Sequence, residues 1–388
     1  LDTVITAEHA QMYQFAIIGG SFDSFMGPVH RRAAAMDGHA SLVAGVFSRN
    51  SEKNKKTGQL WKIEPHRVYD SYHELLQKEK DKLDFVIIAT PNDEHIPIII
   101  ASVQAGIPVV CDKPLGNNFS IAYSAYRKFE IDKHRCMLTH NYSGYPMVKE
   151  CASRIASGEI GKIHRVVVRY EQGWLQELLE KSPEIPDIWR LDAKTVGGAL
   201  ALGDIGSHAF HLMSYITGLR ITEIFSEIRR GVSNNPLDTD VSMLMRFDED
   251  VLGECSISQC STGRRNSIQT SIYGSKGSLS WEQDNFERIQ VSGLGGSDTY
   301  IYRGSSDAPV SSRWSRLPMG HPEGYLCALA NLYVEFFRAL QADKNNEPHS
   351  EFDMPSYEDG LDGLAQIEAA KQSGETNSWA PVRYPHRS

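Results

Sequence analysis

Apolar residues fall into short, closely spaced runs over the first third of the chain. Residues 13–18 form one such run, which ends in Gly19-Gly20-Ser21 and leads into a helix-like stretch over 28–36. A second strand, 41–47, ends at Ser48-Arg49, and a third, 84–89, is continuous enough in apolar character to be covered on both faces. Helical spacing over 72–80 precedes that third strand, 95–105 reads as a helix stopped by Gly106, and 108–111 is the next strand. Alternating strands and helices with short connections predict a parallel sheet that binds ligands at the carboxyl ends of its strands.

The pattern changes after His140-Asn141. Residues 147–156 are helix-like and stopped by Gly158, and 162–170 alternates as a strand. A polar loop rich in Pro and Trp follows (Trp174, Pro183, Pro186, Trp189), then a helix over 204–216 that begins at Asp204. Strand-like runs come next in succession, at 223–229, 241–247, 253–259, 267–273 and 278–281, which predicts a large, mostly antiparallel sheet. Helix-like 323–340 and 357–372 close the pattern.

Length then turns two patterns into two domains, because 388 residues exceed what one core usually organises. The expected division is 1–141 and 142–388, both α/β, with the C-terminal helix able to pack back on the first. At 41% hydrophobic and 23% charged residues the chain is ordinary globular material. A formal charge of -9 without a long basic stretch argues against a nucleic-acid or anionic-membrane partner, and Lys53, Lys55 and Lys56 read as a solvated helix face. Six dispersed cysteines without a C-x-x-C pair suit reduced, buried thiols in a cytoplasmic protein. The opening Leu-Asp-Thr-Val lacks the basic and apolar regions of a signal peptide, and no apolar stretch approaches the roughly 20 residues that span a bilayer.

Candidate chemistry gathers where strands end. Gly19-Gly20-Ser21 followed by Phe25-Met26-Gly27 resembles a dinucleotide fingerprint stretched by an insertion, with Ser21 in place of the second glycine. At the end of the second strand an acid would bind a ribose 2′-hydroxyl and a base would accommodate a 2′-phosphate; Ser48-Arg49 tilts the choice between NAD and NADP slightly toward NADP, and a solvated Arg49 accounts for the residue equally well. Thr90-Pro91-Asn92-Asp93-Glu94-His95 lies where the third strand yields to its helix, so that Thr90, Pro91, Asn92 and His95 can line the nicotinamide side of a pocket; helix N-capping would also explain Asn92 or Asp93. Lys113, in Cys111-Asp112-Lys113-Pro114-Leu115, follows the fourth strand, and Gly203-Asp204-Ile205-Gly206-Ser207-His208 lies far downstream.

In combination, the glycine turn, the 89–95 segment, Ala105-Gly106, Asp112-Lys113-Pro114-Leu115, and Gly197-Gly198 leading to Asp204 and His208 resemble the Gfo/Idh/MocA oxidoreductases over nearly the whole chain. The resemblance implies an N-terminal Rossmann domain that binds NAD or NADP and a C-terminal α/β domain whose open sheet packs against another subunit, in a homodimer or homotetramer. It matches Lys113 to the lysine of the family's E-K-P motif, with Asp112 in place of Glu and often a cis peptide before the proline. Asp204 and His208 match its D-x-G-x-H pair, while His211 stands where the family frequently has an acid.

Removing hydride from a carbinol carbon requires a base for the hydroxyl proton, and His208 is the candidate. Lys113 would stabilise charge on the same oxygen, and Asp204 would orient His208 or hold a neighbouring hydroxyl. Each also has an ordinary reading: a surface lysine, an N-cap aspartate, a satisfied core histidine. A metal site at His208 and His211 lacks a third ligand. Tyr142, Trp189, Arg190 and His321, the last in a His-Pro-Glu-Gly-Tyr segment similar to that of sugar and inositol dehydrogenases, are candidate contacts for a polyhydroxylated substrate; loop packing would equally explain Trp189. The expected activity is reversible oxidation of a secondary hydroxyl of a sugar, inositol or related polyol. A cofactor-recycling glycosidase and a non-catalytic sugar or cofactor sensor of the same fold are the alternatives.

Overall fold

The structure is a computed structural model that describes residues 12–181, 188–231, 235–347 and 352–387. Pro183, Pro186 and the opening Leu-Asp-Thr-Val lie outside the described residues. The chain divides into two compact units, one running up to Gly144 and taking in Tyr325–Gly360, the other comprising Tyr145–Gly324 and the chain from Leu361 onward.

In the first unit, β1 (Tyr13–Gly19), β2 (Ala40–Val46), β3 (Phe85–Ala89), β4 (Val109–Cys111) and β5 (Cys136–Leu138) form a parallel sheet in the order β2-β1-β3-β4-β5. Helices Met26–Ala35, Ser51–Leu60, Tyr72–Glu79, His95–Gln104 and Phe119–Phe129 supply the crossovers. The order reverses direction between β1 and β3, and this switch point is where a crevice opens beyond the carboxyl ends of the strands. Phe85, fully buried on β3, stacks on Phe15 at 5.1 Å and meets Phe336 edge-on at 5.3 Å. Phe336 comes from the 20-residue helix Tyr325–Lys344, which also buries Leu329, Leu332, Tyr333 and Phe337 in this core. Each such side chain contributes about 1.5–3 kcal/mol by leaving water. β5 and the helix before it, Phe119–Phe129, escaped the sequence pattern.

The second unit is built on a nine-stranded sheet. Its strands are β6 (Ile163–Glu171), β7 (Ile221–Arg229), β8 (Asp240–Phe247), β9 (Leu252–Ser258), β10 (Ser267–Gly274), β11 (Gly277–Glu282), β12 (Arg288–Gly293), β13 (Asp298–Tyr302) and β14 (Ala380–Pro381), in the order β13-β12-β11-β10-β6-β9-β8-β7-β14. Every neighbour pairs antiparallel except β6 with β9. Period-two alternation buries Val166, Val168 and Tyr170 of β6 and Val241, Met243 and Met245 of β8, and leaves Leu244, Leu252 and Tyr273 exposed. β13 was not expected: it is a mostly exposed strand at the sheet's edge, behind the glycine-rich turn at 293–296, so it carries no apolar run. Within the stretch read as a polar loop, Trp174–Lys181 is instead a helix, because Trp174, Leu175, Leu178 and Leu179 fall on one side and pack with Leu191, Val196 and Leu200.

Among the described residues no helix is long and apolar enough to cross a membrane. Cys111, Cys136, Cys151 and Cys255 are buried, and burial pushes the Cys136 and Cys255 thiols up to about 12.

Candidate active site

The glycine turn of the first unit is a close backbone crossing. Gly19 and Gly20 adopt φ of 84° and 63°, which only glycine enters without strain. A Cβ on Gly27 would lie 1.7 Å from the Gly20 carbonyl oxygen, so the start of helix Met26–Ala35 rests directly on the turn. Between them Ser21 donates to Asp23 at 2.7 Å, Asp23 pairs with Lys53 at 2.9 Å, and Gly27 N–H donates to Ser24 Oγ at 3.3 Å. The insertion is therefore a self-bonded loop, and Phe25 at its end is 65% exposed. A turn and helix start in such contact, with no side chain between, fit the backbone approach that a dinucleotide pyrophosphate requires.

At the end of β2, Ser48 Oγ accepts from Asn50 N–H, and Asn50 caps helix Ser51–Leu60 through Lys53 N–H at 2.9 Å. Arg49 forms an ion pair with Glu94. At the end of β3, no side-chain cap hydrogen bond is made at the start of helix His95–Gln104, so capping does not account for Asn92 or Asp93. His95 is buried, with Nδ1 2.8 Å from the Pro114 carbonyl oxygen and Nε2 3.0 Å from that of Thr90. Burial pushes this imidazole down despite the charge of Asp112 and the two carbonyls. A neutral His95 donates to one carbonyl and ties the β3 and β4 loops together.

Asp112 is the most heavily engaged group at this edge. Its Oδ1 accepts from Lys113 N–H and from the Thr139 hydroxyl, both at 2.9 Å, and His30 Nε2 stands 3.9 Å away. His30 is wholly buried and its Nδ1 lies 2.8 Å from the hydroxyl of buried Tyr333. Burial alone would raise the Asp112 carboxyl, but His30, and then Lys113 and His95, hold it well below the usual carboxylate range. The Lys113–Pro114 peptide is cis, and Lys113 is half-buried. Tyr142 is buried in the short helical turn Asn141–Gly144, which follows β5. Two further polar groups here are buried without any hydrogen-bond partner, the Thr90 hydroxyl and both ends of the Asn141 amide. Each such atom costs about 1–3 kcal/mol. In the sequence nothing distinguished Asn141 from a turn asparagine.

Asp204 and His208 belong to the second unit. The helix expected to begin at Asp204 is instead entered through a π-helical stretch, Leu202–Gly206, before regular helix Ser207–Thr217. Asp238 explains this entry: its buried carboxylate accepts from Leu200 N–H and Leu202 N–H, both at 2.6 Å, and so fixes the backbone just ahead of Asp204. π-helical turns of this kind occur frequently at functional sites. Asp204 Oδ2 accepts from Gln259 at 2.8 Å, and His208 is buried near the Tyr170 ring, 6.3 Å away. His211 stacks on Tyr215 at 5.9 Å. Arg190 lies over the Trp189 ring at 4.4 Å in the turn Trp189–Leu191. His321 is exposed on a loop held by fully buried Arg303, which donates to Glu287, Glu323 and the carbonyls of Leu317 and His321.

Comparison with known proteins identifies the family. Residues 13–142 match the model of the oxidoreductase family with an NAD-binding Rossmann fold, and residues 148–280 match that of the GFO/IDH/MocA C-terminal domain. A crystal structure of an oxidoreductase from Sinorhizobium meliloti is similar at 32% identity and a TM-score of 0.84, covering 95% of this chain and 99% of that one. A crystal structure of an inositol dehydrogenase homolog complexed with NAD+ from Azotobacter vinelandii is similar at 27% identity and a TM-score of 0.89, covering 96% and 98%. The levoglucosan dehydrogenase of Pseudarthrobacter phenanthrenivorans is 25% identical over 76% of this chain and 79% of its own length. The chain belongs to the Gfo/Idh/MocA oxidoreductases, with an NAD-binding Rossmann fold at its N-terminal end and the family's C-terminal domain after it.

Proposed function

We propose that this protein is a nicotinamide-dependent dehydrogenase that reversibly oxidises a secondary hydroxyl of a sugar, inositol or related polyol. The observation that carries the reading is the edge formed after β3, β4 and β5, where Asp112 bonds the backbone of Lys113 beside a glycine turn suited to pyrophosphate. Similarity to a levoglucosan dehydrogenase and to an inositol dehydrogenase homolog supports the substrate class.

Gly19, Gly20 and Ser21, with Phe25 and Met26, would hold the dinucleotide, and Thr90, Pro91, Asn92 and His95 would flank its nicotinamide. When bound, the nucleotide supplies the acceptor for hydride. Lys113 binds the substrate hydroxyl and stabilises negative charge as it develops on that oxygen. His208 takes the hydroxyl proton, and Asp204 orients the substrate or the base. Asp112 fixes the loop of Lys113 and keeps its own charge beside it. Tyr142, Trp189, Arg190 and His321 are the proposed substrate contacts. Because Arg49 is already paired with Glu94, a 2′-phosphate would have to compete with a carboxylate, which favours NAD.

The test is an absorbance screen at 340 nm with a polyol panel and with NAD and NADP in parallel. Oxidation of a polyol with NAD is expected, and Lys113→Ala should lower kcat on the best substrate by roughly 10²-fold or more, as loss of one transition-state donor does. Full turnover by Lys113→Ala would overturn the assigned role, and absence of turnover by the unaltered protein over the whole panel, despite nucleotide binding, would overturn the activity.

A further inference from the structure

Asn141 is 1% exposed, and neither its Oδ1 nor its Nδ2 has a hydrogen-bond partner. Its place in the fold is specific: it follows β5, its own N–H donates to the Thr139 carbonyl at 2.8 Å, and the Thr139 hydroxyl donates to Asp112. A second buried hydroxyl without a partner, that of Thr90, directly follows β3. β3, β4 and β5 are consecutive neighbours in the sheet, so the two groups stand about two strand spacings apart, roughly 10 Å, with Asp112 and Lys113 between them. Buried side-chain amides are satisfied as a rule. One that is buried and unpaired at both ends, on the ligand-binding edge of a parallel sheet, has the form of a recognition group.

We infer that Asn141 is a binding residue for a primary carboxamide, that of the nicotinamide ring. The chemistry selects this ligand group. An asparagine side chain offers one carbonyl oxygen and one NH2. Phosphate oxygens only accept and would leave Oδ1 unpaired, and a single ribose hydroxyl reaches only one end. A carboxamide presents the complementary N–H and C=O together and satisfies both ends at once. The inference rests on the nucleotide-binding reading above and adds to it the group that distinguishes the nicotinamide end from the adenosine end.

Calorimetric titration of the full chain, as the unaltered protein, Asn141→Ala and Asn141→Asp, separates the two. The ligands are NAD, ADP-ribose, which lacks nicotinamide, and the acetylpyridine analogue of NAD, in which a methyl ketone replaces the carboxamide. Asn141→Ala should weaken NAD roughly tenfold while ADP-ribose stays within about twofold, and the preference for NAD over the acetylpyridine analogue should shrink in the variant. Asn141→Asp keeps the acceptor and loses the donors, so it should also weaken NAD selectively, and it carries the comparison if the alanine variant does not fold. Equal losses for NAD and ADP-ribose, or unchanged NAD affinity in both variants, would overturn the inference while leaving the nucleotide reading intact. No NAD binding by the folded, unaltered protein would overturn both.

Discussion

Asp112 illustrates how one side chain can be legible in kind but not in function from sequence. Its place beside Lys113 could be read from the Asp-Lys-Pro motif, whereas Thr139, His30 and Tyr333, which converge on it, are separated by long stretches of chain and become neighbours only in the folded sheet. The same limit applies to Asn141, since burial without a partner is a property of the fold. The engagement of Asp112 has a pH signature. Its folded-state value lies below the ordinary carboxylate value of about 3.9, so its ionised form stabilises the fold above that value, and the contribution is lost as pH falls toward the folded-state value. In urea unfolding, the stability margin of the unaltered protein over Asp112→Asn should be level from pH 7 to about 5 and narrow below about pH 4. A margin that grows on acidification would contradict the assignment.

At the scale of elements, strands and helices with strong periodicity were legible to within a residue or two, as with the strand read over 84–89 and found at Phe85–Ala89. Among the elements the pattern missed, β5 is short and β13 is too polar at an edge. The entry to helix Ser207–Thr217 shows a third cause. Local sequence predicts regular helix from Asp204, but Asp238, more than thirty residues downstream, claims the backbone N–H groups ahead of it. The insertion in the glycine turn weakened the fingerprint in sequence, yet the crossing of Gly20 and Gly27 survives it in space. Gly27→Ala is the direct probe, because its methyl group would meet backbone rather than a movable side chain. Overpacking of this kind costs about 1–3 kcal/mol or more. Thermal unfolding should shift down and ADP-ribose affinity should fall with it; a variant with unaltered stability and affinity would show that the two segments can separate freely.

For the molecule as a whole, composition and the order of strands and helices pointed to two α/β units with a C-terminal helix able to pack back on the first, but not to Tyr325–Gly360 as the segment that joins it. An apolar helix late in the chain carries no mark of which core it enters. Phe336, Phe337 and Tyr333 enter the core beside Phe85 and Tyr13, and removing even one buried phenylalanine costs about 3–5 kcal/mol. A fragment ending at Gly144 should therefore fail to give the cooperative unfolding transition and the ADP-ribose binding seen with the full chain, as judged by circular dichroism and calorimetry. Supplying 325–360 in the same polypeptide through a flexible linker should restore both. The discontinuity also sets a timetable for synthesis. β1 to β5 leave the ribosome first, but the helix that completes their core is not made until all of Tyr145–Gly324 has been translated. At roughly 5–20 residues per second that delay is on the order of ten seconds or more. During it, Phe85 and its neighbours have no Phe336 to meet, so the nascent nucleotide-binding half is the part of this chain most exposed to chaperones and to premature association with other copies.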